Sequence, residues 1–188
     1  GIEEVYTIGG AQAIAAMARL GAAAPAQLVM LGNRADAGNG DLVGQIEASG
    51  LAGKVHLLGP LADPRSVIKG LDLAVLSSAW GEGFPNAIGE AMAAGVPCVA
   101  TDTGDCRSII GNTGRVVPPR DPAALAAALA ELLALPVEQR RAMGRSARQR
   151  IASHFSLAAI VDAYRSLYAP YMGSDGITIA MPDEARAA

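Results

Sequence analysis

Six short apolar runs, spaced by helix-length stretches, limit what this chain can fold into more than any other feature. They are "EVYTI" (4–8), "QLVMLG" (27–32), "KVHLLG" (54–59), "DLAVLSS" (72–78), "VPCVAT" (96–101) and "GRVVP" (114–118). The runs are continuous rather than alternating, as strands are when both faces of their sheet are covered. Segments at 10–20, 41–50, 64–70, 86–94, 121–135, 138–153 and 156–168 fit helices. The best marked starts at Asp121, whose carboxylate suits free amides. Pro122 follows in the first turn, and Leu125, Leu129, Leu132 and Leu133 repeat on one face. Alternating strands and helices predict an α/β fold: a doubly wound, Rossmann-like parallel sheet of about six strands with helices on both faces. We expect a single domain over 1–171 and a tail at 172–188, where no helical period survives.

Composition narrows the function. At 188 residues the chain is long enough for one ordinary core, and 51% of it is hydrophobic without an apolar run of membrane-spanning length. The net charge of −3 gives no general attraction to nucleic acid or anionic lipid. Cys98 and Cys106 lack a metal-binding spacing, and Cys98, in an apolar run, reads as a small buried hydrophobe. No metal is expected. Without a disulfide framework or a signal peptide, the expected location is cytoplasmic. The start without methionine reads as a fragment.

Ligands of an open parallel sheet bind beyond the carboxyl ends of its strands. Three loops there combine glycine with polar groups: Gly9-Gly10, Gly81 to Asn86, and "TDTGD" (101–105). Glycine turns at helix starts present backbone amides, which suits phosphate. Glu82, in its loop, and Glu90, one turn into the next helix, can accept paired hydrogen bonds from vicinal hydroxyls. Amides for phosphate beside carboxylates for hydroxyls describe a nucleotide-sugar pocket. The plain alternative is an ordinary turn with two solvated glutamates.

Residues 81–105, "GEGFPNAIGEAMAAGVPCVATDTGD", resemble the signature of retaining GT-B glycosyltransferases of the family-4 type. That signature is Glu, seven residues, Glu, a small-residue helix, Gly-x-Pro and a strand; here Glu82, Glu90, Gly95 and Pro97 hold those places. The likeness extends over about 20–170, through "VHLLGPLADPRSVIKGLDLAVLSS" (55–78) and "IIGNTGRVVPPRDPAALAAAL" (109–129). It implies a UDP- or GDP-type nucleotide-sugar ligand, with no further cofactor. Glu82 would face the donor sugar as the catalytic-site carboxylate and Glu90 the ribose. The backbone around Gly83, Phe84, Pro85, Asn86, Ala87 and Ile88 would lie near sugar and diphosphate. The resemblance covers the donor-binding half of such enzymes. An acceptor-binding half is the missing partner, and the face meant for it would drive self-association. The family usually places an Arg and a Lys on the diphosphate after the first strand, where this chain reads "IGGAQAIAAMA". Losing two contacts of about 1.5–3 kcal/mol each weakens donor binding, and catalysis by this chain alone is not expected.

The opening "GIEEVYTIGGAQAIAAMA" (1–18) instead resembles histidinol dehydrogenase, whose "GGAQAIAA" lies at a strand-to-helix turn. That resemblance implies NAD contacts from Gln12 beside Gly9 and Gly10, with Asn33 near a second contact place. It suggests a chimera joined near residues 18–27. The alternatives to a donor-binding domain are therefore an engineered scaffold without activity, or a weak dinucleotide binder. Other polar residues have plainer readings. His56 reads as a packed core residue and His154 as a helix end. Asp102 and Asp105 read as caps of the following helix. The basic run "RRAMGRSARQR" (140–150) reads as a solvated helix face with Met143, Ala147 and Ile151 inward. Trp80 reads equally as a stacking platform or a shield for the sheet end.

Overall fold

A computed structural model describes residues 3–8, 10–21, 24–80 and 83–171, without the side chains of 3–8 and 171. Gly9, Glu82 and the segment 172–188 lie outside the described residues. The chain forms two compact units, Gly1–Ile151 and Ala152–Ala188.

The first unit is built on a six-stranded sheet of order β3-β2-β1-β4-β5-β6. Its strands are β1 (Glu3–Ile8), β2 (Ala26–Leu31), β3 (Val55–Gly59), β4 (Leu73–Leu76), β5 (Cys98–Thr101) and β6 (Arg115–Val117). All neighbours pair in parallel, with Val5 of β1 opposite Leu28 of β2 and Leu73 of β4. The helices between and after them are α1 (Gly10–Leu20), α2 (Gly40–Ala48), α3 (Arg65–Lys69), α4 (Asn86–Ala93), α5 (Cys106–Ile110), α6 (Pro122–Ala134) and α7 (Val137–His154). Right-handed crossovers put α1 and α2 on one face and α3, α4 and α5 on the other, and α6, after the last strand, packs on α1. The contacts agree: α1 touches α2 and α6, while α4 touches α3 and α5.

Burial follows the apolar pattern. Every residue of β4 and β5 is buried, and α1 buries Ala13, Ile14, Ala16 and Met17. On α6, Leu125, Leu129 and Leu132 are buried. Asp121 accepts from the amides of Ala123 and Ala124 at 3.1 and 2.9 Å, so the expected cap is present. Cys98 is buried, and desolvation pushes its thiol pKa far up.

Several polar residues depart from their expected roles. His56 is exposed rather than in the core, and its Nε2 meets Gln27 Oε1 on the neighbouring strand. β3 is an edge strand, so alternate side chains there reach water. The basic run is more than a solvated face. Arg140, 6% exposed, donates from Nη1 to the carbonyls of Leu133 and Leu135. Arg150 donates to the carbonyls of Ser108 and Ile109, where α5 ends. Both satisfy carbonyls that a helix terminus leaves open. Ala147 is buried, as expected.

In the second unit, α8 (Leu157–Tyr168) is capped by Ser156, whose Oγ accepts from the Ala159 amide at 3.2 Å. The rings of Tyr164 and Tyr168, one turn apart, stack with centroids 6.2 Å apart. No single helix among the described residues is long and apolar enough to cross a membrane.

Candidate functional site

The strand order reverses between β1 and β4, so a crevice opens above their carboxyl ends. Both strands run into helices there, β1 into α1 and β4 into α4. The loops around the crevice are tied together. Thr101 Oγ1, at the end of β5, donates to the Ser78 carbonyl in the β4 loop at 2.7 Å. The Asp105 amide donates to the Gly83 carbonyl at 3.3 Å, and the Asp102 amide to the Val117 carbonyl at 2.7 Å. Three strand-end loops are thereby held as one rim.

α4 begins without a side-chain cap, because Pro85 occupies the cap position. The Ile88 and Gly89 amides both donate to the Pro85 carbonyl. Asn86 and Ala87 are left as the first-turn amides that a helix cannot satisfy internally. The positive end of the helix dipole lies at the same place. Pro85 and Ile88 are buried, whereas Gly83, Phe84 and Asn86 are exposed. Gly89 makes room for this arrangement, since a β-carbon there would lie 3.2 Å from the Phe84 ring.

Glu90 is exposed and lines a hollow of about 230 Å³ with Arg65, Ile68, Lys69, Ala93 and Ala94. The walls of this hollow are α3 and the second half of α4. The glycine-turn residues 83–88 are not among its lining, so Glu90 and the α4 amides do not share this cavity. Arg65 at its edge is engaged by Asp63 at 2.7 and 3.0 Å, and the guanidinium holds the Asp63 carboxyl below its ordinary range.

Of the remaining candidates, Gly10 starts α1 and is half-buried. The side-chain Oε1 and Nε2 of Gln12 are buried and have no hydrogen-bond partner among the described residues. Asn33 is exposed in the turn after β2. Asp102 and Asp105 do not cap α5 with their side chains: Asp102 instead pairs with Arg107 at 2.6 Å. Trp80 neither shields the sheet end nor lies bare. It is 72% exposed, with the Arg120 guanidinium 5.0 Å above its ring. Arg120 holds a left-handed φ of 59°. No cluster of three or more His, Cys, Asp or Glu suited to a metal occurs among the described residues.

One crest feature is absent from the sequence reading. After β2, residues Arg34, Asp36, Gly38, Asn39, Gly40 and Asp41 line an open hollow of about 500 Å³. Asn39 caps α2 by accepting from the Leu42 amide, and its Nδ2 donates to the Arg34 carbonyl. The Asn-Gly-Asp wording at a helix start was the available signal.

The family model for "Glycosyl transferases group 1" matches residues 8–135, and the chain belongs to that family. Among curated relatives, the MMP alpha-(1->4)-mannosyltransferase of Mycolicibacterium hassiacum is 32% identical over 135 residues, 69% of this chain and 32% of that protein. Among solved structures, Anabaena HepE in complex with UDP and glucose matches with a TM-score of 0.75 at 21% identity, over 89% of this chain and 48% of HepE. The C-terminal domain of a glycosyl transferase group 1 protein from Francisella tularensis matches with a TM-score of 0.70 at 21% identity, over 84% of this chain and 88% of that domain. Thus the chain spans about half of HepE and at most 32% of the curated relatives it matches. The Rossmann-like GT-B fold is established by these neighbours. The family match covers residues 18–27, where the sequence reading put a junction. The matches give no support to a histidinol dehydrogenase segment or to a chimera.

Proposed function

We propose that this chain is the nucleotide-sugar donor-binding part of a glycosyltransferase. The observation that carries the reading is the uncapped start of α4 at the crevice between β1 and β4, with Asn86 and Ala87 amides left for an anion. HepE, solved with UDP and glucose, has the same fold. On this reading the diphosphate meets the first turn of α4, and Gly83 and Phe84 flank it. Glu90 takes the ribose hydroxyls from the groove between α3 and α4, and Glu82 takes the hydroxyls of the sugar. The acceptor side is contributed from outside these 188 residues, so the chain alone binds donor without transferring sugar.

Calorimetric titration with UDP, GDP, ADP and NAD tests this directly. UDP or GDP should bind saturably, and Glu90→Ala should weaken that binding about tenfold, the loss of a charged acceptor for sugar hydroxyls. Equal affinity for ADP and NAD would argue for a general dinucleotide crest. No heat with any of the four would remove the reading.

A further inference from the structure

The chain's single tryptophan stands on the crest with one face open. Trp80 lies in the loop after β4, two residues before Glu82 in the sequence, and is 72% exposed. The Arg120 guanidinium lies 5.0 Å from its ring centroid and covers one face. An indole covered on both faces could not keep that much surface in water, so the second face is free.

The backbone beneath this pair is held. Thr101 Oγ1, itself buried, donates at 2.7 Å to the Ser78 carbonyl, two residues before Trp80. The Asp102 amide donates at 2.7 Å to the Val117 carbonyl, three residues before Arg120. The end of β5 thereby fixes both loops from between. On the other side of Arg120, the Asp121 cap ties the chain to α6. Arg120 itself holds a φ of 59°, a left-handed value rare for arginine. Such backbone persists where its surroundings over-determine it, and it collects at ligand sites. A rigid ring, backed by a cation and open on one side, is a preorganised stacking surface.

We propose that the open face of Trp80 seats a pyranose ring. The C–H bonds of a sugar's flat face meet the electron-rich face of the indole, while its hydroxyls project at the rim. The position suits a sugar. α4 lies between α3 and α5, with the Glu90 groove on its α3 side. The contact with Arg120, beyond β6, puts Trp80 on the other side of the α4 start. A nucleotide sugar with its ribose at Glu90 and its diphosphate at Asn86 and Ala87 then carries its pyranose toward Trp80. This placement rests on the donor-binding reading. An acceptor saccharide offers the same stacking face, and the test separates the two sources.

The ring is its own reporter, since no other tryptophan contributes to the emission. Trp80 fluorescence is followed while the intact chain is titrated with UDP-glucose, GDP-mannose, UDP, GDP, methyl glucoside and methyl mannoside. A saturable change is expected with a sugar-bearing probe, beyond any change from the nucleotide alone. A response to nucleotide sugars makes the seat that of the transferred sugar, and a response to free glycosides makes it that of the acceptor. Arg120→Gly suits the left-handed backbone and keeps the reporter, and it should weaken binding of the responding sugar about threefold through loss of the cation behind the ring. Trp80→Ala, read by calorimetry, should lower that sugar's affinity about fivefold, relative to the nucleotide alone where the probe carries one, the size of one aromatic contact. No change with any sugar, or equal changes with a nucleotide sugar and its bare nucleotide, would overturn the proposal. So would undiminished sugar affinity in Trp80→Ala. Calorimetric binding of UDP or GDP beside a silent Trp80 defeats this inference alone, whereas a glycoside response without nucleotide binding defeats the donor reading alone.

Discussion

Among the described glycines, Gly144 sits closest against a neighbouring backbone. A β-carbon there would lie 1.9 Å from the Gly95 carbonyl oxygen, and that oxygen belongs to backbone that cannot swing aside. Gly144→Ala should therefore cost about 3 kcal/mol, read as a lowered midpoint in denaturant unfolding. An unchanged midpoint would mean that α7 does not press on the turn before β5. Residue roles were the least legible part of the sequence. Arg140 and Arg150 read as solvated charges because their partners, Leu133, Leu135, Ser108 and Ile109, are carbonyls that spacing cannot reveal. Asp102 read as a cap, yet its carboxylate goes to Arg107. His56 read as core because its strand is apolar, but an edge strand leaves alternate side chains in water. The Trp80–Arg120 contact joins loops forty residues apart in sequence, beyond any local signal.

Elements were legible because their causes are local. Continuous apolar runs placed all six strands, and the Asp121-Pro122 start fixed α6 to within a residue of its observed range, Pro122–Ala134. What holds neighbouring elements together was less legible. Arg115 of β6 donates to both carboxylate oxygens of Glu131 on α6, at 3.2 and 3.1 Å through Nε. This hydrogen bonding lowers the Glu131 pKa and raises that of Arg115. A carboxylate whose folded pKa is depressed adds stability above its unfolded value and loses that stability as pH falls through the folded one. Glu131→Gln should thus lower the melting temperature at neutral pH, by a small amount because the pair is part-exposed. The difference from the parent should close in acid, below the ordinary carboxylate range. A gap of constant size across that window would show that the pair contributes nothing through charge. A stronger effect is expected from Asp121→Ala, which removes the α6 cap and should cost about 0.5–2 kcal/mol in the same unfolding measurement.

At the scale of the whole molecule, the strand order brings the ends of β1 and β4 to one crevice, and everything proposed about the donor follows from that placement. The motif of residues 81–105 points to the same region from sequence alone, and the group 1 glycosyl transferase match spans that motif. How its members are arranged was not readable from spacing. Glu90 opens toward Arg65 and Lys69 in the groove between α3 and α4, while the α4 amides of Asn86 and Ala87 lie at the rim. On the proposed donor-binding reading, a single nucleotide bridges two places, its diphosphate at one and its ribose at the other. Backbone amide shifts recorded by NMR during a UDP titration test that bridge most directly. The account predicts saturable, concerted shifts at Asn86, Ala87 and Glu90, with α7 residues such as Ala147 unmoved. Shifts confined to the α7 end of the sheet, or none at saturating UDP, would contradict it.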